Sequence, residues 1–389
     1  MMKYLYMVFA LLAVTSVFWG GDDKLELNDK ALSFVTSIDY IDEEFVVGIQ
    51  LINPAAISGK TQLPHSPYIV YEAKGSTIDS AIDQLTSYVS RNIDMRHLKV
   101  IVVGMEAAKQ GKLREIMNYA LRRTEIPVGV VMVLSKDTNA IDLLNTYSPI
   151  EGFTAFDISK TMRRVEKASL TTLMDVNIVT IQEGKDFTIP FISIMGDVEK
   201  GGSKENYETT SPVHLYYSGI GAFKNEKLVV ELSYIQSLYL ALLEKHTSEL
   251  TVVASCPTDE NTFTFRIYDG KTKSENVKHS EGNLQYSFNI QATGEIVQYN
   301  CSLTLNNPNN NNKIKMEIQK EINENIQELF VLSKENNIDF MGLGSLLRKE
   351  NNHKWEEIKK NWDAELQKAE IKITTDLDFQ NIGKYDATR

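Results

Sequence analysis

Cysteine is almost missing: only Cys256 and Cys301 occur in 389 residues, too few for a disulfide framework or a thiolate zinc site. Whether the two pair is open from sequence. A bridge suits an exported protein but needs Cα atoms ~4.4 to 6.8 Å apart, and two separate buried thiols suit the pattern equally. Histidine is also sparse, at 65, 97, 214, 246, 279 and 353, with no metal-ligand spacing. Basic charge is in deficit. With 41 Lys and Arg against 52 Asp and Glu, the net charge is −11, which argues against nucleic acid and against a broad electrostatic dock on anionic lipid. No Gly-x-Ser-x-Gly or local Cys-His signature occurs, so no catalytic, cofactor-binding or metal residues are expected, although distant residues can still meet in a fold. Long apolar runs are lacking except at the start. There Lys3 precedes an uncharged stretch from Tyr4 to Gly21, short for a comfortable span and suited to a secretory signal core. Residues 1–21 are therefore expected to be a signal or anchor segment, and the chain to be exported. A buried helix of a cytosolic protein is disfavoured, because the run begins at the first residues and stops at Gly20-Gly-Asp-Asp23.

What is present is an ordinary globular composition, 42% hydrophobic and 24% charged, enough for two or three domains. Ala31 to Ile38 and Phe45 to Asn53 read as a hairpin, and residues 55–66 as a surface loop. Strands at Tyr68–Tyr71, Val100–Val103 and Val128–Leu134 then alternate with helices. The first helix carries a capping box at Ser76 and Asp79. The second spans Glu106 to Arg123, with Leu113, Ile116, Met117, Ala120 and Leu121 facing inward. Strands separated by helices imply parallel pairing in an α/β unit. Residues 153–165 are helical, and a strand around Pro190 follows. The glycine-rich stretch 196–210 has no apolar period and reads as a linker. Beyond it come two strands and a helix at Leu232–Leu243. A β-rich antiparallel region follows, with strands at 251–254, 262–268, 286–290 and 295–303. Asparagines 306–312 read as a loop. Ile314, Ile318, Ile322, Ile326 and Phe330 mark a helix covering a sheet, with Met316 and Leu329 beside them. Trp355, Ile358, Trp362 and Leu366 share a helical face, and Ile371 to Phe379 alternates as a strand with one buried face.

The expected fold class is α+β with mixed α/β character. The chain is multidomain: an N-terminal α/β unit over 22–200, then mixed sheets packed with C-terminal helices over 211–389, with a subdivision near 305–313. Three motif fragments fail. Gly59-Lys-Thr61 lacks the first glycine of a phosphate loop, since Pro54 stands there, and Gly219-Ile-Gly221 has Lys224 where a third glycine belongs. Glu106, just after a strand, suits a helix N-terminus better than an active site. His97, with no second ligand nearby, reads as a surface or hydrogen-bonded residue.

The order of the C-terminal pieces resembles the spore germination GerAC family. The matching residues are Asp339, Phe340, Gly342, Gly344, Lys354, Trp355, Trp362 and Gly383. Further similarity lies in Gln50–Pro54, in His97–Gly104 with Glu106, Ala108, Gly111, Arg122, Glu125 and Pro127, in Pro190–Ile192, and in Tyr216–Leu232. Glu26-Leu-Asn-Asp29 is similar to the start of mature members. The family's lipobox cysteine, site of diacylation, is missing: Phe18 or Gly21 stands there, depending on the alignment, and no cysteine precedes Cys256. The resemblance implies a non-enzymatic C subunit of a nutrient germinant receptor. It would sit on the outer face of the inner spore membrane with A and B membrane subunits, without a cofactor. The alternative is a free exported protein that binds a small germinant between its domains. A third reading, an exported hydrolase, needs a nucleophile and base within hydrogen-bond reach.

Overall fold

The computed structural model describes residues 29–53, 66–165, 171–210, 212–244, 249–280, 283–305 and 307–381. The expected N-terminal anchor, Phe18, Gly21, Gly59–Thr61 and Gly383 lie outside these residues. Strands β1 (Lys30–Ile41) and β2 (Glu44–Ile52) form the expected hairpin, antiparallel and closed by Asp42 and Glu43, both at positive φ. That is the backbone twist a two-residue hairpin turn requires. β3 (Tyr68–Gly75) adds antiparallel to β2 at the sheet edge, so this strand lacks the parallel pairing expected from the strand-helix alternation. Helix α1 (Ile78–Tyr88) is capped by Thr77 and Ser80, one residue later than the box expected at Ser76. β4 (Asn92–Asp94) pairs in parallel with the first residues of β1.

Parallel strands β5 (Val100–Gly104), β6 (Val131–Ser135) and β7 (Thr188–Met195) build the sheet outward from β1. Each is nearly continuous in apolar residues because helices cover both faces. The single helix expected over 106–123 is two, α2 (Met105–Lys109) and α3 (Leu113–Arg122). Gly111 separates them at φ +75°, a conformation only glycine adopts without steric cost. Leu121, expected inside, remains exposed on the outer side of α3. Helices α4 (Ala140–Asn145), α5 (Thr154–Arg164) and α6 (Leu173–Ile181) fill the connection from β6 to β7.

The stretch 196–210 is packed against the body and is not a free linker. It holds two four-residue helices, α7 (Val198–Gly201) and α8 (Glu205–Glu208). Buried Asn206 donates to the carbonyls of Tyr147 and Val213 and accepts from the Val213 amide at 2.6 Å. β8 (His214–Lys224) and β9 (Lys227–Ser233) then return antiparallel onto β7, giving the order β3-β2-β1-β5-β6-β7-β8-β9. Gly219 lies on β8 with its α-carbon against the Leu232 carbonyl, so it serves strand packing and not a dinucleotide.

Helix α9 (Tyr234–Leu243) is buried from Ser237 to Leu243. It joins Val133 and Ile220 of the first sheet to Phe265 and Ile290 of the second in one hydrophobic cluster. The second sheet has the order β10 (Leu250–Ser255), β11 (Thr262–Ser280), β12 (Asn283–Tyr299), β13 (Glu370–Asn381). The two short strands expected at 286–290 and 295–303 are one, β12, ending at Tyr299. β13 joins it in parallel, so the sheet is mixed and not purely antiparallel. Helix α10 (Pro308–Glu335) covers it with Ile314, Ile318, Ile322, Ile326, Leu329 and Phe330, while Met316 is 66% exposed. Asn309 to Asn312, expected as part of a loop, lie in its opening residues. Asn307 caps the helix and Pro308 presets φ at its first position.

Cys256 and Cys301 are bonded, with Cα atoms 5.5 Å apart and a sequence separation of 45. Loop-closure entropy for a bridge of that span is worth about 4 kcal/mol at most. Replacing both cysteines by serine is expected to lower stability by about 2 to 4 kcal/mol in urea unfolding. An unchanged midpoint would show that the second sheet stands without its staple.

Candidate functional site

The residues that stood out in the C-terminal sequence converge on one place, a joint between the two halves of the fold. α10 ends at Glu335 with Asn336 as its cap, and the chain turns through Ile338 and Phe340, both fully buried, into α11 (Leu343–Glu350). Asp339 is 3% exposed, and its carboxylate accepts from the Leu343 and Gly344 amides, each at 2.8 Å. A carboxylate at a helix start satisfies amides that have no partner within the helix. Gly342 at φ +75° makes the turn that aims those amides inward.

The other side of the joint is the loop 183–187 before β7. Asp339 donates its amide to the Asp186 carboxylate at 2.7 Å, and the Asp186 amide donates to the Asp339 carbonyl at 2.9 Å. The Ser345 amide donates to the Gly184 carbonyl at 2.6 Å. Gly344 and Gly184 allow this approach: a Cβ on Gly344 would lie 2.8 Å from the Gly184 α-carbon and 2.8 Å from the Trp355 ring.

Helix α12 (Asn352–Ile358) seats Trp355, 2% exposed, over this contact, and its indole N–H donates to Glu183 at 3.2 Å. Lys359 holds the same carboxylate at 3.0 Å. Trp362 opens α13 (Trp362–Lys368) and packs edge-on against Trp355, ring centroids 5.2 Å apart. The seven-residue spacing does place both tryptophans together, but across a short 3₁₀ turn at Lys359–Asn361 and not along one helix. Lys354 faces outward and pairs with Glu357 at 3.0 Å. Two further ion pairs cross the joint, Lys224 with Asp363 at 2.6 Å and Lys185 with Glu244.

Burial dominates the electrostatics here. Desolvation raises Asp339 to about 6 against its three backbone donors, and raises Asp186 as well. Glu183 is lowered by Lys359 and Trp355. Asp186 faces Lys224 and Asp363 in addition to Asp339.

At the carboxyl ends of the parallel strands, where α/β folds commonly bind ligands, a cleft of about 400 Å³ is lined by Lys109, Asp137, Asn139, Asp142 and Glu231. Asp39 at the end of β1 accepts from the Ala140 amide at 2.9 Å, and burial raises it to about 6. Beside it Lys109 and Lys136 both pair with Glu231. Glu106 is exposed in the first turn of α2, and His97 is exposed ahead of β5. Among the described residues no group of three His, Cys, Asp or Glu could hold a metal. The acidic loop at Glu183 and Asp186 was not legible in sequence. It reads as a solvated turn, and only its partners 150 or more residues away give it a role.

Comparison with known proteins places both sides of the joint in recognised modules. A family described as the spore germination protein N-terminal domain matches residues 23–194. A second, described as spore germination B3/GerAC like, C-terminal, matches residues 218–383. Spore germination protein KC of Bacillus subtilis (strain 168) is 25% identical, covering 98% of this chain and 96% of its own length. Spore germination protein GerQC of Bacillus cereus is 22% identical over 78% of this chain and 82% of its length. The crystal structure of the GerBC protein superposes with a TM-score of 0.55 at 16% identity, covering 90% of this chain and 99% of that one. The fold is thus shared.

Two outcomes test the joint. Gly344→Ala forces a methyl into backbone and an indole ring, and is expected to cost about 1 to 3 kcal/mol in urea unfolding. The second concerns pH. Asp339, Asp186 and Asp39 are raised above the unfolded carboxyl range, so the folded chain binds more protons between about pH 6 and 4 and stability rises as pH falls through that window. Losses from the lowered groups Asp94, Glu183 and Asp259 fall below about pH 4.5. Stability at pH 5 should exceed that at pH 7 by an amount on the order of 1 to 3 kcal/mol. Asp339→Asn should flatten part of that slope, and an unchanged slope in the variant would count against the assignment.

Proposed function

The chain belongs to the spore germination GerAC family, and from that premise we propose that it is the non-enzymatic C subunit of a nutrient germinant receptor. It acts as a scaffold on the outer face of the inner spore membrane, docked to an A subunit and a polytopic B subunit. The observation that carries this reading is the joint. Side chains that could have lined an active site are spent on holding two modules in fixed relation, through Asp339, Asp186, Glu183 and Trp355. A rigid two-module body suits a part that transmits position between membrane partners. Among the described residues no helix is long and apolar enough to cross a membrane; in this reading the N-terminal run or the partners hold the chain at the membrane.

One observation favours the second reading, capture of a small solute. A cleft of about 280 Å³ opens beside the joint. Leu243, Phe288, Met341 and Leu346 line it, with the pairs Lys185–Glu244 and Lys349–Glu275 at its sides.

Deleting the chain is expected to abolish the response of spores to at least one nutrient, read as loss of refractility. The chain should also co-purify with an A or B subunit from detergent-solubilised spore membranes. A soluble, partner-free protein that binds the nutrient by itself would overturn the scaffold and promote the second reading.

A further inference from the structure

Helix α6 is apolar on two opposite sides. At 100° per residue, Leu173, Val176 and Val179 point into the core beneath the first sheet. Met174, Ile178 and Ile181 fall within a sector of ~60° on the other side and are 39%, 42% and 74% exposed. A helix apolar all round normally has both faces covered, and here one face meets solvent. Val128, 47% exposed, extends the stripe, since its carbonyl accepts from the Met174 amide at 3.0 Å.

The position of this stripe says what covers it. Thr172, which caps α6, bridges to Val131 at the start of β6. Val131 is level with Val100 of β5, and Val100 with Val35 of β1. Thr172 lies on the side of β6 away from β5, so the stripe begins ~14 Å to the side of β1, three strand spacings away, and level with Val35; Lys30, where β1 starts, lies a further ~17 Å along the strand. The polar residues 22–29 link β1 to the apolar run Tyr4–Gly21, and a link of that length reaches at most ~30 Å. A bilayer holding the run lies within reach of this end of the fold. The run of 18 residues is at the short end for a span, and a second, apolar contact of the folded body with the lipid surface would add to its hold. Asp175 and Asn177 border the stripe, so the second contact is apolar and not electrostatic.

We propose that α6 is that contact, lying along the lipid surface with Met174, Ile178 and Ile181 in the acyl boundary. This rests on the reading of the N-terminal run as a membrane anchor. The test uses the full chain, whose native cysteines are bonded to each other, carrying Ile178→Cys labelled with bimane. Val331→Cys, exposed on α10, is the control. The labelled chains are mixed with phosphatidylcholine vesicles in which half the lipid carries bromine on its acyl chains. Bromolipid should cut emission at 178 by about twofold or more at interfacial depth and leave 331 unchanged. An unquenched label at 178 on a chain that floats with the vesicles overturns the proposal and leaves the anchor intact. A chain that does not float overturns both. Concentration-dependent blue shift without lipid assigns the stripe to a second copy, which also overturns it.

Discussion

A desolvated carboxylate has to be answered by donors, and Asp339 is the place where this chain meets that requirement. An ionised group moved out of water is costly unless its lone pairs are filled. Here the donors are the Leu343 and Gly344 amides of α11. They can be in position only if Gly342 turns left-handed and Gly344 lies flat against Gly184. The satisfaction of one side chain thereby sets the path of the backbone after α10 and brings it onto the loop before β7. The reciprocal bonds with Asp186 then tie that path to the first sheet. Removing the loop would leave Asp339 with its helix cap but without the contact that orients it.

Around this contact the two halves share more than polar bonds. α9 leaves the last strand of the first sheet and is sealed by the second, so its leucines belong to both cores. Trp355 and Trp362 close the opposite side. The result is a body whose halves are coupled by an apolar helix, a tryptophan pair and a buried acid. Relative motion would require each of these to be re-solvated, and that coupling is the physical support for the proposed positioning role. The disulfide lies away from this joint, at the far turn of β10 and the exit of β12. It secures the second sheet and not the junction.

Much of this was legible in the residues. Alternation in Ile371–Phe379 and the four-residue rhythm of Ile314–Phe330 each report a single element with one buried face, and the strand-helix alternation after Val100 reports a parallel unit; all three are present. Local chemistry misled where a neighbour mattered more. The asparagines at 309–312 look like a loop until Asn307 and Pro308 start a helix through them. Residues 196–210 look like a linker until Asn206 finds Tyr147 and Val213. Leu121 and Met316 fit the apolar rows beside them and still face solvent, because a helix row is wider in sequence than the strip its neighbours cover.

The residues alone determined most of the elements, the mixed fold class and the family, since periodicity, capping and motif order are short-range properties written along the chain. Only the tertiary structure decided what the motifs do. Asp339, Gly344 and Trp355 are motif residues whose partners, Asp186, Gly184 and Glu183, lie over 150 positions earlier. A contact of that sequence separation leaves no periodic trace. It follows from how α9 stacks one sheet on the other, which depends on the burial of many side chains at once.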